Sequence, residues 1–317
     1  MTDAQWEALS NQAVAVAGVV YFLALLAHLV EWEALRRIPV EESSSPRKVA
    51  LLERLGVMLT ALACGIHFVA LLGRGMAADP NRVPWGNMYE FTLAGSFFVT
   101  LLYLVLYRRF SLSWMAPIVV GFVLSTMMLA VVWLYSPVAP LTEALYSPWL
   151  VIHVVSAVIA TGAFTLGGIA SALYLLKDRR ERRKPEDQPH TGYLARVPST
   201  TTLDRVSYRL HAFGFPVWTF AVLITGPIWA HEAWSSYWNW DPKEVWAFIT
   251  WVVYAAYLHA RTTAGWRGRN AAIIALIGLA TLWFNFIGIN FFADSSQHSY
   301  AGDAPDVITT EPYSARA

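Results

Sequence analysis

Long apolar runs constrain this chain more than any other feature. A helix that crosses the hydrocarbon layer of a membrane needs about 20 mostly apolar residues. Eight segments meet that requirement: 12–34, 52–73, 87–107, 112–134, 149–176, 209–231, 244–262 and 270–292. Because 56% of the residues are hydrophobic and only 14% are charged, the composition excludes an ordinary soluble domain. The sequence therefore predicts an all-α fold, a polytopic membrane helical bundle of about eight transmembrane helices.

The basic residues predict how this bundle is oriented. Of the 23 Lys and Arg, 19 fall on one side of the predicted bundle, with Lys177–Lys184 as the densest run. Positively charged residues favour cytoplasmic loops, so we expect that side to be cytoplasmic. The loop between helices six and seven and the tail after Ala293 then lie on the outer side.

That outer loop is rich in tryptophan. Six of the fifteen Trp lie between Trp229 and Trp251, and Trp234, Trp238 and Trp240 crowd one short loop. A membrane-anchoring belt spreads aromatic residues over many helix ends, whereas large rings without aliphatic neighbours favour stacking on a planar ligand. Asp241, followed by Pro and then by Glu at the third helical position, predicts a capped start for helix seven. We interpret the loop as a binding platform beside a helix N-terminus.

The block WSSYWNWDPKE at 234–244 resembles the "WWD" signature of haem-handling proteins, and within them the cytochrome c assembly proteins of the CcsA/ResC type. Two positions depart from that pattern. Ser235 stands where the family commonly has Gly, and Ser296-Gln297 stand where Gly-Leu is usual. The resemblance extends to Asn87–Glu90, Leu203-Asp204 with Gly214–Pro216, Tyr257–Arg261 and His298–Ala301.

The resemblance covers about 85–301 and suggests a division of the chain. Residues 1–84 form an N-terminal two-helix region, and 85–301 form the cytochrome c assembly domain. Residues 302–317 form a polar tail, which its composition predicts to be disordered.

The histidines divide by their predicted depth in the membrane. His153 and His298 both fall at the level of the Trp loop, and the resemblance implies that they are the axial ligands of an outer haem b. His259 lies fifteen residues after Glu244, roughly 22 Å deeper by helix rise. The resemblance assigns it to an inner haem iron whose second ligand comes from a partner of the CcsB/ResB type.

Other residues keep two interpretations each. Lys243 and Arg261 are candidate propionate ligands or ordinary topology-setting charges. Glu90 orients a histidine N–H or caps a helix. His28 and His67 favour contacts between helices over a role as inner ligands. The remaining histidines include His211 and His231, predicted to lie at the two membrane surfaces, with His231 close enough to the platform to support it.

These expectations combine into one function. Haem is bound by His153, His298 and His259, positioned by Trp234, Trp238, Trp240 and Asp241, and presented for covalent attachment to an apocytochrome c CxxCH. Whether the chain is itself an enzyme stays open, because it resembles one part of a haem lyase-type synthase complex. Its single cysteine, Cys64, lies inside an apolar run, so a separate thiol reductant is expected. No nucleic-acid partner is expected. The predicted location is the plasma membrane, or the thylakoid membrane in a plastid.

Three alternatives remain at this point: a cytochrome b-like subunit that exchanges electrons with quinone, a solute transporter with Trp-lined access, and a haem-delivery protein that acts with an ABC exporter. A cytochrome b-like subunit usually has helices with histidine pairs at both leaflets, and here only predicted helix six carries two histidines near opposite ends. A transporter is expected to have helices broken at mid-membrane, and predicted helices six to eight contain only two prolines that would break them, Pro216 and Pro227.

Overall fold

The computed structural model describes residues 1–36, 47–140, 145–183, 192–263 and 265–292, and within these ranges the regular structure is helical. The helices are α1 (Asp3–Arg36), α2 (Arg47–Met76), α3 (Met88–Tyr107), α4 (Ala116–Trp133), α5 (Pro148–Arg183), α6 (Tyr193–Arg196), α7 (Thr200–Thr219), α8 (Gly226–Trp234), α9 (Pro242–Thr262), α10 (Arg269–Trp283) and α11 (Ile289–Phe292). A 3₁₀ turn, Leu112–Met115, precedes α4, and π-helical turns join α7 to α8 (Phe220–Thr225) and α10 to α11 (Phe284–Gly288).

The predicted helical membrane bundle is confirmed. Among the described residues, seven helical spans are long and apolar enough to cross a membrane, including Thr200–Trp234 and Arg269–Gly288 as continuous spans. The predicted seventh segment forms α9, which is 21 residues long but not among those seven. Its Trp, Tyr and His side chains lower its mean hydropathy. Most helices also extend beyond the predicted bounds, because helical hydrogen bonding continues past the apolar stretch.

Helix α5 lies at the centre of the bundle. It packs against α3 on one side and against α7 and α10 on the other. Small residues allow this close approach: a Cβ added to Gly168 would lie 2.6 Å from Leu279, and one added to Gly162 would lie 3.5 Å from the Phe98 backbone. One buried core therefore joins α1–α5 with α7, and a second joins α5, α7, α9 and α10.

Polar contacts gather several helix ends at one end of the bundle. The end of α2 meets the start of α3 through Arg74 and Glu90. Ser147, which precedes α5, bonds Glu232 in the last turns of α8. The start of α9 contacts α11, where the Lys243 ammonium donates to the Asn290 amide oxygen at 2.9 Å. The Trp-rich loop between α8 and α9 lies at this same end.

Candidate functional site

A wide cavity lies among these gathered helix ends. The empty space between its lining residues amounts to about 1360 Å³, open solvent at the mouth included. Its wall follows α3 from Met88 to Val99, which is roughly 16 Å of helix rise. Helix α5 contributes from Leu150 to Thr161, and α4 and α7–α10 close the remainder. The lining is mainly aromatic and aliphatic, so the cavity suits an apolar ligand.

His153 lies in the wall of this cavity, five residues after the start of α5. Its Nδ1 lies 2.9 Å from the Ala221 carbonyl oxygen. A carbonyl can only accept, so Nδ1 carries the hydrogen and the lone pair of the neutral ring is on Nε2. The ring also stacks on Trp229, with centroids 6.1 Å apart and planes 19° apart. Both contacts set the orientation of a potential iron ligand.

The Ala221 carbonyl owes its position to the π-helical turn Phe220–Thr225. Pro227 follows this turn, and a proline inside a helix removes one donor and crowds the carbonyl four residues earlier. The helix widens here, and the Ala221 oxygen accepts from the Gly226 N–H, five residues on, and from the Thr225 hydroxyl at 3.1 Å. Gly226 also leaves room for His153, because an added Cβ would lie 3.2 Å from two ring atoms. Such π-turns recur at functional sites.

The Trp-rich loop is held by its flanking helix ends. Ser235 ends α8 in the left-handed region, with φ of 57°, a conformation that favours glycine. The departure from the family's Gly at this position therefore carries a backbone cost. At the other end, Asp241 and Glu244 form the predicted capping box of α9, and Glu244 also accepts from the Asn239 N–H at 2.8 Å. Trp240 has φ of 57°, a rare conformation for a bulky residue.

The three predicted platform tryptophans take different positions. Trp238 lines the cavity. Trp234 packs on Trp229 with ring centroids 4.9 Å apart and planes 65° apart. Trp240 is 74% exposed and meets Trp238 edge-on, with an 86° angle between the planes. Their rings do not form one flat surface in this arrangement.

Sequence reasoning missed the tryptophans that line the cavity from inside the helices. Trp218 and Trp229 come from α7 and α8, and Trp283 from α10. The spacing of Trp218, Val222 and Trp229 follows one helical face and could have been read as a signal. Trp283 carries no such signal, because it lies in a helix that is apolar on all sides.

The residue predicted to bind the inner haem iron lies on the surface of the bundle. His259 is exposed near the end of α9 and is not among the residues that line the cavity. Arg261, two residues on, bonds Asp204 of α7 at 2.5 Å and lies over the Tyr208 ring. This favours a structural charge over a propionate ligand. His298 lies outside the described residues.

Two of the remaining histidines make contacts within the bundle. His28 is buried and lies 3.4 Å from Glu31 on its own helix and 3.4 Å from Thr60 of α2, in line with a contact between helices. His67 is also buried, with its ring near Tyr21 and Phe97. Neither lines the cavity.

His211 and His231 differ in exposure, and their predicted position at the two membrane surfaces stays a prediction. His211 is fully buried, and its Nδ1 lies 2.7 Å from the Ser207 carbonyl oxygen. His231 is exposed near the end of α8 and stacks on Tyr237, with ring centroids 4.3 Å apart.

Glu90 does not orient a histidine. Its carboxylate accepts from Arg74 at 2.9 Å, from Arg82 at 2.7 Å and from the Gly86 N–H at 2.6 Å, and its side chain is fully buried. Asn87, rather than Glu90, caps α3. The carboxylate thus neutralises two guanidinium groups that hold the segment before α3.

Comparison with known proteins places these features in a family context. A family model described as Cytochrome C assembly protein matches residues 85–295. The cytochrome c biogenesis protein CcsA of Guillardia theta is 34% identical over 273 residues, covering 80% of this chain and 88% of that protein. CcsA of Synechococcus sp. (strain JA-2-3B'a(2-13)) is 31% identical over 360 residues, covering 95% and 96%.

A solved structure shares the fold. The cytochrome c haem lyase CcmF superposes with a TM-score of 0.62 at 17% sequence identity. The match covers 91% of this chain and 49% of that chain, so the present chain spans about half of its length. At this identity the likeness concerns the fold alone.

Proposed function

The chain belongs to the cytochrome c assembly protein family, a family of multi-pass membrane proteins that act in cytochrome c maturation, and from this premise we propose that it holds haem in its aromatic cavity and presents it for covalent attachment to an apocytochrome c. In that reaction each cysteine thiol of a CxxCH motif adds across one vinyl group of haem. A C–S bond forms, and the thiol hydrogen moves to the vinyl carbon, so the addition needs no external oxidant or reductant.

The observation that carries this proposal is the setting of His153. The imidazole lies in the wall of a cavity lined mainly by aromatic and aliphatic side chains. Its Nδ1–H is engaged by the Ala221 carbonyl, the arrangement that orients histidine ligands in metalloproteins and raises their basicity. Nε2 is therefore the atom that binds haem iron, and His298 is proposed as the ligand on the opposite face.

The aromatic residues of the cavity and the Trp-rich loop would contact the porphyrin ring. We assign Trp238 to direct contact with the ring system, because it lines the cavity beside Trp229. Trp234 supports Trp229 from behind. Trp240, which is largely exposed, is suited to cover haem from the solvent side or to meet the incoming apocytochrome. Asp241 holds this loop by capping α9.

The exposed position of His259 supports an inner haem site shared with another protein. For a six-coordinate haem bound at such an exposed histidine, a second protein that packs against this surface can supply the other ligand. We propose a membrane partner of the CcsB/ResB type as the source of that group. Haem then passes from this inner site to the cavity, which we assign to the extracytoplasmic side. Cys64 is buried in α2, so reduction of a disulfide in the apocytochrome is left to a separate reductant.

The test is the absorption spectrum of the purified complex carrying His153→Gly. We expect most haem to be lost from the cavity and to return when free imidazole, which fits the space left by the side chain, is added. Ile152→Gly is the matched control, since Ile152 precedes His153 in α5, is exposed and is not among the residues that line the cavity. Unchanged haem content and an unchanged spectrum in His153→Gly would contradict the assignment.

A further inference from the structure

A group of arginines gathers at the end of the bundle opposite the cavity. Arg108 and Arg109 lie in the turn that follows α3, and both are exposed. Arg209 of α7 is also exposed, and its guanidinium carbon lies 5.8 Å from the centre of the Phe110 ring. This distance is within the range of a cation–π contact. The turn after α3 and the surface of α7 therefore share one arginine patch, Arg108, Arg109 and Arg209 around Phe110.

The charge of the arginine patch is not balanced by the described residues. Within the described part of the chain, no salt bridge joins a carboxylate to any of its three guanidinium groups. An exposed arginine elsewhere at this end does have such a partner, since Arg36 pairs with Glu33 at 3.1 Å. Three like charges in one place repel one another, so an anion bound among them would be stabilised.

The carboxylates of the helices beside the patch have other partners. Glu53 of α2 accepts a hydrogen bond from the Tyr107 hydroxyl at 2.8 Å. Asp204, near the start of α7, pairs with Arg261 of α9. The anion that the patch would attract therefore comes from outside the described residues.

The arginine patch lies where the apolar part of the helices ends. Arg209 is the last Asp, Glu, Lys or Arg before Glu232, so the polar end of α7 gives way to a long uncharged stretch. Phe213 follows Arg209 by four residues and is 47% exposed, and Val105 precedes Arg109 by four residues and is 67% exposed. Side chains four residues apart lie on the same face of a helix. Each of these two arginines therefore has an exposed apolar side chain one turn closer to the middle of the bundle.

We propose that the arginine patch binds the phosphate of an anionic phospholipid, whose acyl chains lie along the surface at Val105 and Phe213. Guanidinium groups present pairs of N–H donors that match the oxygens of a phosphate, and clustered basic residues at a membrane surface attract anionic lipids. A free phosphate would use the arginines alone, whereas a phospholipid also uses the apolar side chains beneath them. The bound lipid links the turn after α3 to α7.

The test measures lipid binding to the purified complex after its lipids have been exchanged for detergent. Three probes separate charge from chain: phosphatidylglycerol, which is anionic, phosphatidylcholine, which has the same chains and phosphate but no net charge, and inorganic phosphate, which has no chains. Native mass spectrometry measures how much of each lipid is bound. Wild type is expected to bind phosphatidylglycerol more tightly than phosphatidylcholine, and inorganic phosphate at equal concentration should not displace the bound lipid.

The variants assign this preference to the patch. Arg109→Gln and Arg209→Gln should each weaken binding of phosphatidylglycerol about 5-fold, and the double variant about 25-fold, from the contribution of one basic residue near a membrane surface. Binding of phosphatidylcholine should not change. Arg36→Gln is the matched control, because Arg36 is exposed at the same end and already has Glu33 as its partner. Thermal unfolding in detergent should be the same for all variants, since the substituted side chains are exposed.

Four results would overturn the inference. In the first, wild type binds both phospholipids equally, and in the second, the double variant keeps the preference for phosphatidylglycerol. In the third, Arg36→Gln loses as much affinity as Arg209→Gln, which would mean that binding follows total charge and not the patch. In the fourth, inorganic phosphate displaces the lipid, which would identify a site for free anions.

Discussion

Gly226→Ala tests whether the helix backbone positions His153. The added Cβ would lie 3.2 Å from two atoms of the imidazole ring and 3.1 Å from the Ala221 carbonyl oxygen. Ordinary van der Waals contacts of a Cβ begin near 3.4 Å, so the ring must move by a few tenths of an ångström. The Trp229 ring stacks on the imidazole and limits its movement. The shift is therefore expected to lengthen the 2.9 Å hydrogen bond from Nδ1 to the Ala221 carbonyl oxygen.

The expected effect on haem exceeds the effect on folding. Overpacking lowers the free energy of unfolding by about 1–3 kcal/mol, and replacing Gly by Ala inside a helix raises it by about 1 kcal/mol. The protein should therefore fold. Loss of the group that orients a histidine ligand typically lowers metal affinity by about 10- to 100-fold. Gly226→Ala is therefore expected to lose haem affinity within that range.

The assay is haem titration of the purified complex, followed by its absorption spectrum. Two matched glycines separate the possible causes. Gly95 lines the cavity, and Gly65 lies within α2; a Cβ at either would meet nothing within 4 Å. Gly95→Ala adds a methyl group to the cavity without touching His153, and Gly65→Ala changes only helix propensity. Both should bind haem as wild type does.

Wild-type affinity in Gly226→Ala would refute the reasoning about the ring. An equal loss in Gly95→Ala would instead show that cavity volume, and not the orientation of His153, limits binding.

The remaining predictions concern stability and the route of haem. Glu90→Gln removes the carboxylate that Arg74 and Arg82 share and leaves Arg74 with Glu7 at 3.6 Å. It should lower the free energy of unfolding by up to about 3–5 kcal/mol, measured by thermal unfolding in detergent; an unchanged transition would contradict the network's role. Ser235→Gly removes the cost of a left-handed serine and should raise stability by about 1 kcal/mol in the same assay. His259→Ala should deplete haem from both sites if haem enters the cavity from the inner site, and a normal yield of cytochrome c would refute that route.

Local features of the site could be predicted from the sequence because they depend on neighbouring residues. The capping box at Asp241 and Glu244 follows from side chains three residues apart, and it is present. The position of His153 near the Trp-rich loop follows from counting residues along α5 and placing both helix ends at one membrane surface. The existence of the spans follows from composition summed over about 20 residues.

Contacts between distant segments could not be predicted in this way. Glu90 carries the same sequence signal whether it meets a histidine or two arginines. Arg74 is its partner because α2 and α3 pack side by side. The Ala221 carbonyl became a partner for His153 only through a π-turn.

The sequence by itself therefore determined that this is a helical membrane protein, where its helices lie and how the Trp-rich loop enters α9. The tertiary structure alone decided which side chains share the cavity, including Trp229, Trp283 and Lys243. The physical reason is that membrane helices are apolar on nearly every face. Their hydrophobic pattern does not mark which face meets a neighbour, so facing partners are chosen by close packing of small residues and by a few buried polar contacts.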